Sequence, residues 1–201
     1  METTTRSALT IRDATTADAA AICLIYNQGI EDRVATLEME LRTPAERREC
    51  LLARGPRHPV LVADKAHPAD FSRTTQPLTT SSRPPAPLAD LAEPVTVNPA
   101  TTGWASLNRF NPRPAYDHVA DISVYVERAW RGHGVGRALL GALVQRAIAL
   151  GYHKLVLAAF PDNVAGMALY TRMGFTRVGV YREQGLLDGR WVDVAVMERL
   201  L

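Results

Sequence analysis

Residues 131–137, which read RGHGVGR, constrain the fold more than any other part of the chain. They lie between a strand-like segment, VADISVYVE, and an apolar helical segment, RALLGALVQRAIAL. Glycine permits a tight turn here and lets the backbone come close to a ligand. The first N–H groups of the following helix have no intrahelical acceptor, and the helix dipole adds partial positive charge. The segment therefore predicts a pyrophosphate-binding turn, with a plain glycine-rich turn as the alternative.

The spacing of these glycines argues against two other phosphate-binding motifs. The Walker motif ends in Gly-Lys-Ser/Thr, which is absent from this segment. The dinucleotide-binding motif needs G-x-G-x-x-G at the start of a βαβ unit, with an acidic residue about 20 positions later. Here the glycines are placed differently, and the strand and helix lie in the middle of the chain.

Strand-like and helix-like segments surround this turn. Strands are predicted over LTIRDA, HPVLVAD, TTGWASLNRF and VADISVYVE. Helices are predicted over ADAAAICLIYNQGI, capped by Thr16, and over TPAERRECLLAR, where Thr43, Pro44 and Glu46 form a capping box. After the helix of the turn come a buried strand, HKLVLAAF, a helix capped by Asn163, and a closing antiparallel pair, FTRVGVYRE and RWVDVAVMERL, joined through QGLLDG. This order predicts an αβα sandwich, with helices on both faces of one mixed sheet.

Residues 66–100 differ in kind from the rest of the chain. They contain seven prolines and many serines and threonines, so they cannot form a continuous helix or a central strand. We interpret them as a surface insertion within a single domain over residues 1–201. A domain boundary is the alternative, but the 65 residues before it are few for an independent core.

Charge and cysteine content narrow the function classes. The net charge of +2 gives no nucleic-acid footprint and no polybasic membrane signal. No stretch approaches 18 consecutive apolar residues, and the first residues lack the apolar core of a signal peptide. Cys23 and Cys50 lie in helical apolar patterns without a Cys/His cluster, so we expect reduced thiols, no metal site and a cytoplasmic protein.

Three short motifs resemble the GNAT superfamily of N-acetyltransferases. They are R-x-x-G-x-G from residue 131, F-P-x-N at residues 160–163, and ALYTRMGF at residues 168–175. Longer segments are similar to the branch that acetylates phosphinothricin and arsinothricin: IRDATTADAAAI, EDRVATLE, LRTPAERR, RPAYDHVADISVYV and VGVYREQGLLDGRWVDVAVMERLL. The resemblance covers nearly the whole chain outside residues 66–100.

This resemblance implies acetyl-CoA as the cosubstrate, bound where two central strands of a mostly antiparallel sheet separate. The pyrophosphate would lie on the backbone from His133 to Arg137, the pantetheine arm would pair with the backbone of Val124 and Val126, and Asn163 would hydrogen-bond the arm. The implied cofactor-binding residues are Val124, Tyr125, Val126, Arg131, Gly132, His133, Gly134, Val135, Gly136, Arg137 and Asn163.

Two side chains are the candidates for catalysis. Acetyl transfer needs a neutral amine, a donor to the oxyanion, and a proton or hydrogen bond for the departing thiolate. The resemblance makes Asp121 the general base, where the branch often has glutamate, and the shorter side chain favours action through an ordered water. Tyr170, where the herbicide-resistance members carry histidine, would donate to the sulfur; full proton transfer is uphill by about 2 kcal/mol from ordinary pKa values. The alternatives are a paired strand-end carboxylate and a packed core tyrosine.

The acceptor site is predicted from the expected charge of the substrate. A phosphinate or arsinate amino acid is acidic, so cationic partners are expected, and the resemblance places Arg113 against the acid group. Asn111 stands where relatives have a second basic residue; Arg109 or Arg33 would have to compensate. Tyr116 and Ser123 are predicted to line the acceptor site.

The predicted function is N-acetylation of a small amino-acid-like amine of the phosphinothricin or arsinothricin type, which would confer resistance to such compounds. The resemblance also implies a homodimer. Two alternatives stay open: a GNAT enzyme acting on methionine sulfoximine, methionine sulfone or an aromatic amino acid, and a non-catalytic acyl-CoA-binding module.

Overall fold

The computed structural model describes residues 9–65, 98 and 100–201, so the predicted insertion at 66–100 lies almost entirely outside the described residues. The strands are β1 Leu9–Asp13, β2 Val60–Lys65, β3 Thr101–Arg109, β4 Val119–Val126, β5 Lys154–Ala159, β6 Thr176–Leu187 and β7 Arg190–Leu200. The helices are α1 Ala19–Glu31, α2 Pro44–Leu52, α3 Val135–Ala149 and α4 Val164–Arg172. Short 3₁₀ turns cover Thr16–Asp18, Pro114–Tyr116 and Arg128–Trp130.

The seven strands form one mixed sheet in the order β1-β2-β3-β4-β5-β7-β6. All neighbouring pairs are antiparallel except β4 and β5, which are parallel. A parallel pair needs a crossover connection, and α3 supplies it between β4 and β5. The predicted mixed, mostly antiparallel sheet is confirmed.

Helices cover both faces of this sheet. On one face, the wide apolar side of α3 packs against β3 and β4, and Leu139, Leu140 and Leu143 are fully buried there. On the other face, Ile22 and Ile25 of α1 pack with residues of β2 and β3. Burial of each such side chain contributes about 1.5–3 kcal/mol to folding. These two layers confirm the predicted αβα sandwich.

The pairing of β4 with β5 is short. It covers only Val119–Asp121 of β4 against Lys154–Val156 of β5. Both strands continue beyond it, β4 to Val126 and β5 to Ala159. The two strands therefore separate from Asp121 onward and leave an opening near the middle of the sheet.

The helix caps and the closing hairpin agree with the sequence prediction, apart from two corrections. The capping box is present, since the Thr43 side chain accepts from the Glu46 N–H at 3.3 Å and Glu46 accepts from the Thr43 N–H at 2.7 Å. The prediction of Thr16 as a cap is wrong by one residue, because a 3₁₀ turn precedes α1 and the chain is capped at Thr15. The segment QGLLDG belongs mostly to β6, and the hairpin turns at Asp188 and Gly189, both with positive φ.

None of the helices in the described ranges has the length and hydrophobicity that crossing a bilayer requires.

Candidate active site

The separation of β4 from β5 opens into a cavity of about 1030 Å³, which we call the large cleft. Its walls come from four places in the chain: the end of α1 and the loop after it, the last residues of β4, the glycine-rich turn, and α4. The predicted cofactor residues that line it are Val124, Tyr125, Val126, Arg131, Gly132, Gly134, Gly136, Arg137 and Asn163. His133 and Val135 do not line it, and Val135 is fully buried in the core.

The glycine-rich turn lines the large cleft and leaves main-chain amides without intrahelical acceptors at the start of α3. Gly132 and Gly134 have φ of +80° and +87°, a conformation that costs most other residues about 1–2 kcal/mol. The first amide of this region to donate to a helix carbonyl is that of Ala138, 3.1 Å from the Gly134 oxygen. The amides of Val135–Arg137 thus stand at the helix start without an intrahelical acceptor, as an anion site requires. The His133 amide instead donates to the Trp130 carbonyl at 3.3 Å.

Close packing explains the glycine at position 136. A Cβ on Gly136 would lie 3.1 Å from Cδ2 of Leu169 in α4. A larger residue here would push α4 away from α3 and change the shape of the large cleft. Gly136 therefore serves helix packing, while Gly134 serves the turn itself.

The charged side chains of the turn have different surroundings. The Arg131 guanidinium lies 2.6 Å from Asp32 and donates to the Val126 carbonyl at 3.3 Å. Arg128 also pairs with Asp32, and hydrogen bonds from both arginines, Arg128 first, lower the pKa of that carboxyl. Arg137 is exposed and lines the large cleft. Arg131 is thus held by an acidic partner, whereas Arg137 projects from the helix start.

The free edge of β4 faces the opening in the sheet. The Glu127 N–H donates to the Thr102 carbonyl at 2.9 Å, and the register pairs Val126 with Gly103. Because antiparallel pairs alternate, Asp121, Ser123 and Tyr125 exchange bonds with β3. The N–H and C=O groups of Val124 and Val126 then point away from β3, toward the opening.

Asn163 begins α4 beside the large cleft. Its Oδ1 accepts from the Gly166 N–H at 2.9 Å, which confirms the predicted cap. Since the oxygen is engaged in the cap, the amide NH₂ is the part of this side chain suited to hydrogen-bond a ligand.

Asp121 lies where β4 and β5 separate, and its side chain meets Asn108 of β3. Nδ2 of Asn108 is 3.3 Å from Asp121 Oδ2 and 3.0 Å from Ser123 Oγ. Arg54 Nη2 lies 2.7 Å from Oδ1 of Asn108, and because arginine can only donate, this contact fixes the orientation of the amide. Burial raises the pKa of Asp121 to about 6, although the Asn108 hydrogen bond acts in the opposite direction. The carboxyl is therefore ionised at neutral pH and close to the range suited to accepting a proton.

Tyr170 of α4 lines the large cleft near Asp121. Burial, and next the charge of Asp121, raise the pKa of this phenol to about 12. The ring lies edge-on to Phe175, with centroids 6.1 Å apart. A phenol with this pKa keeps its proton at neutral pH and is suited to donate a hydrogen bond.

The predicted acceptor residues do not all lie together. Ser123 is on the face of β4 that carries Asp121, but Arg113 and Tyr116 are exposed in the β3–β4 loop and do not line the large cleft. Tyr116 packs against Phe110, with ring centroids 5.5 Å apart.

The two arginines suggested as compensation for Asn111 have other partners. The Arg109 guanidinium donates to carbonyls of its own loop, and the Arg33 guanidinium pairs with Asp188.

A second cavity, of about 160 Å³, lies on the α1–α2 face of β3 and β4, and we call it the small pocket. The polar residues that line it are Arg47, Cys50, Arg54, Ser106, Asn108 and Ser123. Its aromatic and aliphatic residues are Ile22, Tyr26, Leu51, Val60, Trp104 and Tyr125. Sequence reasoning missed Arg47, Arg54 and Asn108. The available signal was the alternation Trp104, Ser106, Asn108 along β3, which the register places opposite Tyr125, Ser123 and Asp121.

Within the described residues, no group of three or more His, Cys, Asp or Glu side chains is arranged to hold a metal ion.

Comparison with known proteins gives concordant results. Residues 63–175 match the model of the acetyltransferase (GNAT) family. An L-methionine sulfoximine/L-methionine sulfone acetyltransferase from Pseudomonas paraeruginosa is 31% identical over 94% of this chain and 92% of its own. A phosphinothricin N-acetyltransferase from Streptomyces coelicolor is 27% identical over 95% of both chains. The crystal structure of a GNAT superfamily phosphinothricin acetyltransferase from Sinorhizobium meliloti, in complex with acetyl-CoA, superposes with a TM-score of 0.74 at 28% identity, covering 96% of this chain and 88% of that one.

Proposed function

The chain belongs to the GNAT acetyltransferase family, and on that premise we propose that it transfers acetyl from acetyl-CoA to the primary amine of a small amino-acid-like acid. The observation that carries the proposal is the position of Asp121. This ionised carboxylate lies where the sheet opens, hydrogen-bonded to Asn108 of the small pocket and close enough to Tyr170 of the large cleft for its charge to act on that phenol.

The residues of the large cleft fit acetyl-CoA. Amides at the start of α3, with Arg137 beside them, would hold the pyrophosphate, and the outward backbone groups of Val124 and Val126 would pair with the pantetheine amides. The NH₂ group of Asn163 would donate to the same arm. When bound, the cofactor supplies the activated acetyl thioester.

Asp121 would act on the acceptor amine. An amino-acid amine is mostly protonated at neutral pH, because its pKa is about 9–10, and it attacks only as the neutral form. A carboxylate with a pKa of about 6 accepts that proton directly or through one water. Asn108 holds the carboxylate in position by its hydrogen bond.

Tyr170 would serve the departing sulfur. Its phenol is protonated at neutral pH, so the O–H can donate a hydrogen bond to the developing thiolate. Because the pKa of the phenol exceeds that of a thiol, hydrogen-bond donation, rather than full proton transfer, is the role that the chemistry supports.

Two acceptor classes are supported. Relatives named for phosphinothricin and relatives named for methionine sulfoximine and methionine sulfone match at similar identity over similar lengths. The phosphinothricin class is the first candidate, because the sequence resembles that branch over most of its length. The second candidate rests on the slightly higher identity of the methionine sulfoximine/sulfone relative.

The test is an acceptor panel. Purified protein is mixed with acetyl-CoA and one amine at a time, and release of the CoA thiol is followed spectroscopically. Turnover of phosphinothricin supports the first candidate, and turnover of methionine sulfone or sulfoximine alone supports the second. Measurable acetyl-CoA binding without turnover of any amine would contradict the proposal and favour a binding module.

The oligomer and compartment are part of the same proposal. A homodimer is supported by three large side chains on β6 and β7 that are about 60% exposed: Val178, Tyr181 and Trp191. A reducing compartment, the cytoplasm, is supported by the unpaired thiols of Cys23 and Cys50. Light scattering on purified protein measures the mass, and a monomer at micromolar concentration would contradict the dimer.

A further inference from the structure

The small pocket holds buried hydrogen-bond donors that lack acceptors. Trp104 is only 6% exposed, and its indole N–H has no partner within the described part of the chain. The same is true of the buried Nε–H of Arg47. Both residues line the small pocket. Buried polar groups in proteins are almost always paired, so two orphan donors beside one cavity indicate that an acceptor belongs there.

Arg47 is held at the pocket without a direct acidic partner among the residues that the structure describes. Its guanidinium carbon lies 3.9 Å from the centroid of the Tyr26 ring, a cation–π contact that fixes the orientation of the side chain. The neighbouring carboxylates Glu38 and Glu46 pair with Arg42, at 2.5 and 3.9 Å. Among the described residues, Arg47 has no salt bridge of its own. The pocket therefore has a fixed positive charge.

The opposite wall adds donors and connects the pocket to Asp121. Ser123 accepts from Asn108, which leaves the Ser123 hydroxyl hydrogen to be donated elsewhere. The same Asn108 amide group reaches Asp121 at 3.3 Å. Asp121 and Ser123 are two residues apart on one face of β4, a separation of about 6.6 Å. An amine at Asp121 and an oxyanion at Ser123, in the pocket that Arg47 also lines, are thus within the span of one small amino acid.

We propose that the small pocket binds an oxyanion of the acceptor, a carboxylate or phosphinate, through Arg47, with Trp104 and Ser123 as further donors. The inference rests on the proposed function and assigns its acceptor-specificity residues. It places recognition of the acid group on α2 and β3, and not on the β3–β4 loop where Arg113 lies. A planar guanidinium suits both carboxylate and phosphinate geometry.

The first experiment compares Arg47→Gln with a matched control, Arg48→Gln. The two changes remove the same charge from adjacent positions of α2, but Arg48 is exposed and does not line the pocket. Loss of a charged hydrogen bond to the acid group should raise the acceptor KM of Arg47→Gln by about 10- to 100-fold, with kcat changed less than about threefold. Arg48→Gln should match the wild type. Arg47→Lys, which keeps the charge but loses the planar fork, should fall between them.

Two acceptors identify which acid group the pocket takes. Methionine sulfone carries only the α-carboxylate, whereas phosphinothricin carries a second, distal acid group. A rise in KM with methionine sulfone assigns the α-carboxylate to the pocket, and a rise confined to phosphinothricin assigns the phosphinate. An unchanged KM for both acceptors, in an Arg47→Gln protein that melts within a few degrees of the wild type, would overturn the proposal.

Direct binding separates this inference from the enzymatic proposal. Calorimetry measures methionine sulfone and phosphinothricin binding to the CoA-saturated protein, where no acetyl group can move. Binding that weakens at least tenfold in Arg47→Gln supports the pocket even if the wild type turns over no amine. Equal binding by wild type and Arg47→Gln refutes it even if the wild type is active.

Discussion

The large cleft and the small pocket share Tyr125 as a common wall, yet they differ in the chemical groups that they offer to a ligand. The large cleft offers main-chain groups: the amides at the start of α3 and the free edge of β4. The small pocket offers side chains from α2, β3 and β4. A ligand with a long, invariant chain of amides and phosphates can be bound by backbone. Discrimination among amino acids needs side chains.

This difference determines how each cavity should respond to mutation. Backbone recognition tolerates most side-chain changes and fails only where the main chain itself is forced to move. Recognition by side chains is instead weakened by each replacement of a residue that contacts the ligand. In the proposed mechanism, Asp121 and Tyr170 combine both kinds of recognition, since each side chain would act on a reaction centre that the main chain would position.

The largest effect is expected at Asp121, which contacts Asn108 of the small pocket and lies near Tyr170 of the large cleft. Asp121→Asn should lower kcat/KM about 100- to 1,000-fold at neutral pH, because the amine loses its proton acceptor. The loss should shrink at high pH, where free amine predominates. In the wild type, kcat/KM should also fall as the pH decreases through about 6, since a protonated carboxyl cannot accept a proton. A pH–rate profile of both proteins checks this, and a limb near pH 6 that persists in Asp121→Asn would exclude Asp121 as its source.

A smaller effect is expected at Tyr170, on the cofactor side. Tyr170→Phe removes the O–H and keeps the ring, so the packing against Phe175 survives. The kcat should fall about 30-fold with little change in either KM, because the lost hydrogen bond matters mainly when charge develops on sulfur. Steady-state kinetics with both substrates varied measures this. A rise in the acetyl-CoA KM alone would instead make Tyr170 a binding residue.

The next prediction tests whether the main-chain conformation of the glycine-rich turn determines acetyl-CoA binding in the large cleft. Gly134→Ala forces a side chain into a position with φ of +87° and should raise the acetyl-CoA Kd about tenfold while leaving the acceptor KM unchanged. Gly151→Ala is the matched control: its φ is +74°, a Cβ there meets nothing within 4 Å, and it does not line the cleft. Both variants should lose about 1–2 kcal/mol of stability. Equal affinities in the two variants would show that the turn does not position the pyrophosphate.

The last prediction concerns the free energy of unfolding and not a rate or an affinity. The pKa of Asp121 is raised by burial, so this group favours the folded state below pH 4, and its contribution is lost as the pH rises through about 6. Asp121→Asn should therefore be more stable than the wild type by about 3 kcal/mol at pH 7.5, with the difference declining toward pH 4. Urea unfolding at several pH values measures the difference. A variant less stable than the wild type at pH 7.5 would show that the Asn108 contact outweighs burial.

The sequence was informative where structure depends on neighbouring residues. The turn at residues 131–137, the caps at Thr43 and Asn163, and the alternation along β4 all depend on local spacing, and the structure confirms these local elements. The cap before α1 was misplaced by one residue because a 3₁₀ turn and an α-helix share the same start signals.

The small pocket could not be predicted from the pattern of neighbouring residues. Arg47 and Trp104 are 57 positions apart and line one pocket only because α2 packs on α1, which in turn packs on β3. Arg33 and Arg109, which were suggested only as compensation for Asn111, instead have partners nearby in the fold. A sequence does not distinguish an arginine that binds a ligand from one that is solvated or paired elsewhere. Only the tertiary arrangement distinguishes them.

The short pairing of β4 with β5 has a thermodynamic consequence. A sheet that is open near its middle forgoes backbone hydrogen bonds that a continuous sheet would form, and the pantetheine amides would act as a surrogate strand that restores them. Folding and cofactor occupancy are then linked: acetyl-CoA at 100 times its Kd adds about 2.7 kcal/mol to the free energy of unfolding. The resistance of this protein to heat and proteolysis would thus follow the acetyl-CoA level of its surroundings, so that its lifetime would respond to metabolic supply.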